Sequence, residues 1–329
     1  MKAVILAAGK STRTYPLTVT KPKPLLKVAG KTLLEYNLDQ LTGLVDEVIL
    51  IVNYKKDMII DYFKDSYQGI KLTYVDQPEP LGTGHALLQA KDLIQERFIL
   101  LMGDDLYSKQ DIQNCIKHNY CVLAKEVDNP ENFGVLELIG KKVKNIVEKP
   151  QMFFSNLANC ALYVLDEKIF PFIENLRKSK RGEFEITDAI RELARKEDIF
   201  YVKATQWTPI GYPWDLFKFK DLLGIKGNAI GNNCKIDGVV ENSIIMDNTL
   251  VRPGSVVKDS ILGDNVTFQG TIHSNENATS IVKKIPRKAG KLGAVIGDDC
   301  TLEKVNITTG VKIWPGTKIS GIDIKEDVE

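Results

Sequence analysis

A chain of 329 residues is long for a single core, so two domains are expected. Its 44 Lys plus Arg against 43 Asp plus Glu leave a formal charge of +1, which gives no reason to expect nucleic acid or an acidic membrane as partner. The five cysteines are odd in number and form no C-x-x-C pair, which argues against zinc and a disulfide framework and fits a reducing, cytoplasmic setting.

Ala3-Val4-Ile5-Leu6 reads as a short buried strand, and no charged and then apolar leader precedes it. The following Gly9-Lys10-Ser11-Thr12 looks like the tail of a phosphate loop. A P-loop needs its first glycine where Val4 stands, and a dinucleotide fingerprint needs one at Ser11 and an acid where the next strand ends in Asn53. Both are excluded. From here to about residue 222, strand-like runs (DEVILIV, IKLTYV, RFILLMGDD) alternate with helix-like ones (TLLEYNLDQLTGL, MIIDYF, GHALLQAKDLI). That rhythm predicts an α/β domain over 1–222: a Rossmann-like, mostly parallel sheet with ligands at the strands' carboxyl ends. Strand-like runs crowd between 121 and 165 and suggest an antiparallel extension, a wall against which a second substrate could lie.

After Gly224 the steps shorten to about six residues, an aliphatic position followed by Gly, Asp or Asn (AIGNNC, SIIMDN, SILGDN, AVIGDD). A parallel β-helix is expected over 228–324, with Val239, Ile244, Ile261 and Val295 pointing inward and Phe268 and Trp314 as candidates for exposed or subunit-facing positions. Residues 273–291 read as a protruding loop. Open coil ends and flat sides predict a homo-oligomer assembled through this tail.

LAAGKSTR, from Leu6, resembles the opening loop of the sugar-1-phosphate nucleotidyltransferases, with Ser11 in place of the usual second glycine. Gly9 allows backbone amides to approach phosphates, and Arg13 offers a fork of donors to a leaving pyrophosphate. The resemblance implies a nucleotide against Leu6, Ala8 and Gly9 and a phosphate on Lys23, between two prolines in TKPKPLL; Lys21 and Lys27 read as solvated. In QPEPLGTGHA it implies base reading by Gln77, Gly82 and Thr83, with uracil or thymine favoured because Gln77 offers both a donor and an acceptor; His85 reads as helix-start structure. ILLMGDD implies a Mg2+ ligand at Asp104, with Asp105 turned outward or capping. On the sugar side it implies Gly134, Glu148 and Asn159, with Lys149 on the sugar phosphate. A surface ion pair for Glu148 and Lys149, and a backbone-satisfying role for Asn159, are the plainer alternatives. Glu185 and Asp188 read as helix-start chemistry. In WTPIGYPWDL, Pro209 stands where the family has a second metal ligand, so Asp215 swings in, water fills the place, or metal binding weakens.

The implied activity is transfer from UTP or dTTP to a sugar 1-phosphate, foremost UTP and N-acetylglucosamine 1-phosphate, with glucose-1-phosphate thymidylyl or uridylyl transfer as the alternative. The family resemblance extends to proteins with a left-handed β-helix tail, some of which also acetylate an amino sugar; GTIHSNENATS and the few coils speak against that here. A non-catalytic sugar-nucleotide-binding homologue is the competing class, prompted by Ser11 and Pro209. Deleting 228–329 is expected to leave a folded domain with measurable activity.

Overall fold

The computed structural model describes all 329 residues, and by packing they form two compact units: residues 1–9 with 37–207, and residues 10–36 with 208–329. Residues 10–36, including the rest of the phosphate loop, and residues 208–227 belong with the coil region.

The first unit is built on a ten-stranded sheet. In spatial order its strands are Gly134–Ile139, Lys142–Glu148, Phe200–Lys203, Cys121–Glu126, Leu157–Leu165, Phe98–Met102, Lys2–Leu6, Glu47–Val52, Ile70–Asp76 and Ser66–Tyr67. Lys2–Leu6 lies between two parallel neighbours, Glu47–Val52 and Phe98–Met102, and Val4 and Ile5 are fully buried. Burial on both faces is why its apolar run is continuous rather than alternating. Leu157–Leu165 then runs antiparallel to Phe98–Met102 and to Cys121–Glu126, as the crowded runs suggested. Its register with Cys121–Glu126 shifts between Asn159 and Tyr163, where Ala161 takes φ 54°. The helix Ile186–Leu193 buries Ile186, Ala189, Ile190 and Leu193 on one face, in the same core as Val4, Leu6 and Ala86.

In the second unit the coils form a parallel β-helix. One side pairs Ala229, Ile244, Ile261, Val295 and Lys312 in parallel register, in steps of 15, 17, 34 and 17 residues. A second side pairs Lys235, Leu250, Thr267, Thr301 and Lys318 with the same steps. The double step is one coil plus an insertion: residues 273–291, expected as a loop, contain the antiparallel hairpin of Asn275–Val282 and Ile285–Leu292. Its polar sequence carries little apolar alternation, so strands were not legible there.

Corners recur too. Asn233, Asn248, Asn265, Asp299 and Gly316 all adopt a left-handed conformation (φ 56°, 57°, 59°, 60° and 77°), which Asn, Asp and Gly tolerate best. That requirement is the physical origin of the repeated Gly, Asp and Asn. Ile244, Ile261 and Val295 are fully buried, each contributing about 2 kcal/mol of transfer free energy. Two expectations are corrected. Val239 is half exposed, on the third side, and Phe268 is fully buried, stacked in register between Val251 and Leu302. Coils at that level are wide enough for an aromatic ring. No helix is long and apolar enough to cross a membrane.

Candidate active site

In the first unit, the phosphate loop leaves the sheet at Leu6, with Leu6 and Ala8 buried and Gly9 exposed. Gly103 N donates to Leu6 O at 3.0 Å, so the turn carrying Asp104 is tied to the same strand end. Asn37, buried in the helix Leu33–Leu41, donates Nδ2 to Asp105 O at 2.8 Å and clamps that turn from its other side. The sequence signal was present, an amide in the middle of an apolar helix face, but it was missed. Asp105 is corrected: it is buried, and its Oδ2 accepts from Trp207 Nε1 at 2.9 Å. Adjacent aspartates thereby part roles, Asp104 half-buried at the strand end and Asp105 anchoring the turn.

A divalent cation fits this donor set. Asp104 supplies one carboxylate beside the loop's backbone, and Mg2+ takes one or two carboxylates with phosphate oxygens and water rather than a full protein cage. No group of three or more His, Cys, Asp or Glu stands together as such a cage.

Gln77 is buried at the end of Ile70–Asp76, with Nε2 donating to Gly82 O at 3.1 Å and lying 3.3 Å from His85 Nδ1. In this orientation the amide nitrogen is occupied by the protein, which leaves the amide oxygen as the acceptor rather than the donor and acceptor expected. Gly82 has φ 107° and ψ 176°, a conformation essentially confined to glycine. Thr83 Oγ1 accepts from Ile186 N at 3.1 Å, fastening the segment to the next helix. His85 lies in the helix start, as read, and additionally touches Gln77.

Gly134, Glu148 and Asn159, implied for the sugar side, come together. Gly134 pairs with Glu148 across the antiparallel hairpin, and a Cβ on Gly134 would stand 2.9 Å from Glu148 Oε2 and 3.6 Å from Asn159 Nδ2. Glycine is what admits the carboxylate. Burial raises the Glu148 pKa, and Glu185 pushes the same way, against the lowering charge of Arg181 at 3.4 Å. Arg181, not foreseen, also bonds Glu185 Oε1 at 2.8 Å; Glu185 therefore holds Arg181 rather than capping its helix with its side chain. Asp188 is in the first turn, paired with Arg191 at 3.0 Å. Asn159 donates Nδ2 to Tyr163 OH at 2.6 Å and accepts from Ala161 N at Oδ1, which supports the bulge. Lys149 is exposed in a left-handed conformation (φ 47°), its N–H bonded to Phe133 O.

In the second unit, Ser11 is left-handed (φ 51°) where the usual residue is glycine, and its carbonyl accepts from Thr14 N, Thr14 Oγ1 and Thr18 Oγ1. Those three bonds offset the conformational strain. Exposed Arg13 has its Cζ 5.8 Å from the centre of the Tyr212 ring, which stacks on Trp214 at 5.0 Å. Lys23 is buried, donating Nζ to Ile210 O. Asp215 Oδ2 accepts from Gly211 N at 2.9 Å and Tyr212 N at 2.7 Å; burial raises its pKa despite those bonds and the charges of Lys218 and Lys23. Lys21 and Lys27 are corrected: neither is solvated, and both are ion-paired to β-helix aspartates.

A strand-end phosphate loop, a carboxylate turn beside it and a wall of acceptors define a nucleotide-handling α/β enzyme. The chain belongs to the nucleotidyl transferase family, whose model matches residues 2–224. It is 34% identical to the bifunctional protein GlmU of Methanococcus maripaludis, covering 97% of this chain and 92% of that protein. It is 31% identical to a bifunctional sugar-1-phosphate nucleotidylyltransferase/acetyltransferase of Sulfurisphaera tokodaii, covering 100% and 98%. A solved UDP-glucose pyrophosphorylase complexed with UDP-glucose superposes with a TM-score of 0.61 at 26% identity, covering 68% of this chain and 98% of that one. Members of the family generally use a divalent metal and bind a nucleoside triphosphate and a sugar 1-phosphate.

Proposed function

We propose that this sugar-1-phosphate nucleotidyltransferase joins UTP to N-acetylglucosamine 1-phosphate, giving UDP-N-acetylglucosamine and pyrophosphate. The observation that carries the base assignment is Gln77: with its amide nitrogen directed to Gly82 and His85, it offers an acceptor. The imide N–H of uracil or thymine suits it, as does the N1–H of guanine, whereas the ring nitrogens of cytosine and adenine on that edge are acceptors and would be left facing another acceptor; between the remaining bases, the UDP-glucose bound in a similar structure supports the pyrimidine. Relatives named GlmU and the LGTGHA segment support the amino-sugar choice. UDP-glucose in a similar structure supports glucose 1-phosphate as the alternative.

A phosphate oxygen of the sugar 1-phosphate attacks the α-phosphorus, the new P–O bond forms as the α–β bridge breaks, and pyrophosphate leaves. No general base is needed, because the nucleophile is already ionised near neutral pH; positioning and charge neutralisation supply the rate. Lys149 holds the nucleophile, Arg13 and Lys23 the departing phosphates, and the amides around Leu6, Ala8 and Gly9 the triphosphate. Gly134 and Glu148 receive sugar hydroxyls, with Asn159 beside them; Gly82 and Thr83 shape the base seat. Asp104 would hold a divalent metal, Mg2+ by this reading, which would supply charge neutralisation for the phosphates. Asp215, whose Oδ2 already holds Gly211 and Tyr212, is not assigned to the metal.

Acetyl transfer is not assigned to the tail. In the M. maripaludis alignment, 97% of 329 residues fill only about 319 of 391 positions, so that relative carries a substantial stretch without a counterpart here. An assembly role is assigned instead, supported by exposed Val239, Ile281, Ile285 and Ile322; a light-scattering mass of one chain would refute it.

The test is pyrophosphate release across four nucleotides and several sugar phosphates. Highest kcat/KM with UTP and N-acetylglucosamine 1-phosphate is expected; a preference for GTP, ATP or CTP would sink the reading. Asp104→Ala should lower metal-dependent turnover by about 10²-fold or more while the protein stays folded. A parent without turnover on any pair would favour a binding homologue.

A further inference from the structure

We propose that Lys21 and Lys27 are positioning residues, and that one corner of the β-helix, bearing Asp247, Asp264 and Asp298, holds in place the segment that carries Lys23. The inference rests on the phosphate-binding role assigned to Lys23 above.

The three aspartates occupy the same corner of successive coils, each just before a left-handed residue. Each uses Oδ1 to accept the backbone N–H of the coil before it: Asn232 N to Asp247, Asp247 N to Asp264 and Asp264 N to Asp298, all at 2.8 Å. This ladder needs an acceptor but no charge, and an asparagine side chain would serve. Three carboxylates stacked at the spacing of adjacent strands, about 4.8 Å, also repel one another. Their charge therefore answers to something other than coil geometry.

That partner is the segment after the phosphate loop. Asp247 Oδ2 bonds Lys27 Nζ at 2.6 Å, Asp264 Oδ2 bonds Lys21 Nζ, and Asp298 takes both Lys21 Nζ at 3.0 Å and Thr20 Oγ1. Lys21 is only 5% exposed. A buried ammonium is tolerated when it is paired and hydrogen-bonded, and such pairs serve best as register devices. The anchors at 20, 21 and 27 flank Pro22-Lys23-Pro24, whose prolines stiffen the backbone. Lys23 itself ends on Ile210 O. Thus the β-helix grips the chain on both sides of Lys23, without any of its own residues needing to touch substrate.

The experiment uses the full-length protein with Asp264→Asn and Asp298→Asn, singly and together. Asparagine keeps the Oδ1 acceptor of the ladder; at 264 it replaces the Oδ2 that receives Lys21 by a donor, and at 298 it leaves the Oδ1 contact to Lys21 but removes the charge and the Oδ2 contact, so the double variant takes both carboxylate charges from Lys21. Amide exchange and steady-state kinetics are read on the same samples. In the double variant, the amides of Leu25 and Leu26 should exchange at least tenfold faster, while those of Ile244, Ile261 and Val295 stay protected. kcat should fall at least tenfold with KM for the sugar phosphate little changed, and Lys21→Met should reproduce both effects. Unchanged exchange at Leu25 and Leu26 would overturn the proposal, as would loosening of the coils to the same degree, or full kcat with a loosened segment. Were the parent inactive on every substrate pair, the functional reading would fall, while the exchange comparison would still decide whether the corner holds the segment.

Discussion

Gly82→Ala would place a methyl group where the backbone leaves no room. The added Cβ would stand 2.7 Å from Phe184 O, 2.9 Å from Phe184 N and 2.9 Å from Glu183 Cβ. Two of these neighbours are backbone, and that strand of chain cannot withdraw freely, because Phe184 N bonds Leu81 O and Gly84 N bonds Phe184 O, both at 2.8 Å. Holding a non-glycine residue at φ 107°, ψ 176° costs about 1–3 kcal/mol, and overpacking adds about 1–3 kcal/mol. A loss of about 3 kcal/mol is expected, partly relieved by movement of Gly82. That movement pulls the carbonyl away from Gln77 Nε2, so Gln77, proposed to read the base, loses its orientation. Urea unfolding followed by tryptophan fluorescence gives the stability change, and pyrophosphate release gives KM for nucleotide and sugar phosphate separately. KM for UTP should rise at least about tenfold, equivalent to about 1.4 kcal/mol, with a much smaller change for the sugar phosphate. A stability loss below about 1 kcal/mol together with an unchanged KM for UTP would refute the steric argument.

Glu148→Gln tests the half-buried carboxylate beside Gly134. Burial raises the Glu148 pKa in the folded protein, so the folded state is favoured while the group is protonated and loses stability as pH rises through its folded value. Glutamine removes that dependence: melting at pH 8 should occur at a higher temperature than in the parent, the gain shrinking toward pH 4, while KM for the sugar phosphate rises. A lower melting temperature at pH 8 would contradict it. Ser11→Gly should relieve a left-handed strain of about 1–2 kcal/mol against an unfolded-state penalty of about 0.5–1 kcal/mol, leaving thermal stability nearly unchanged. Ser11→Val should destabilise clearly, and equal melting of the two variants would show that the φ of 51° is immaterial. The Glu47 carboxyl is held down to about 2, chiefly by the hydroxyl of Thr73 and then by Lys71 and Lys2. Its stabilisation is present above the ordinary glutamate range and is lost as pH falls toward 2. Thr73→Val should move the acid-unfolding midpoint to higher pH, read by circular dichroism.

Much of this was legible because the governing physics was local. Val4 and Ile5 sit in a doubly covered strand, and its continuous apolar run says so; the aliphatic-then-Asn steps mark coil corners because left-handed residues are needed at each one. Lys21 and Lys27 escaped because their partners lie 220 to 277 residues away, and a lysine among prolines carries no local sign of burial. Asp105 escaped for the same reason, its partner Trp207 standing 102 residues on. Phe268 was misjudged on size alone, since the number of side chains sharing a coil level is a tertiary property. Deletion of 228–329, expected to spare activity, would remove Asp247, Asp264 and Asp298, and loss of transfer is now the expected result.

The ion pairs at the β-helix corner also set an order of events during synthesis. Residues 20 and 21 leave the ribosome near the start of translation, yet they meet Asp298 only when about nine-tenths of the chain exists. Domains ordinarily fold from the amino terminus as they emerge, and long-range contacts close late because loop closure must come first. Here the segment of residues 20–27 waits through most of elongation, meets Asp247 and then Asp264, and is fully fastened only by almost the last coil made. A chain truncated before that coil keeps the pairs to Asp247 and Asp264 but lacks those to Asp298, so completion of the tail and full fastening of the segment become a single step.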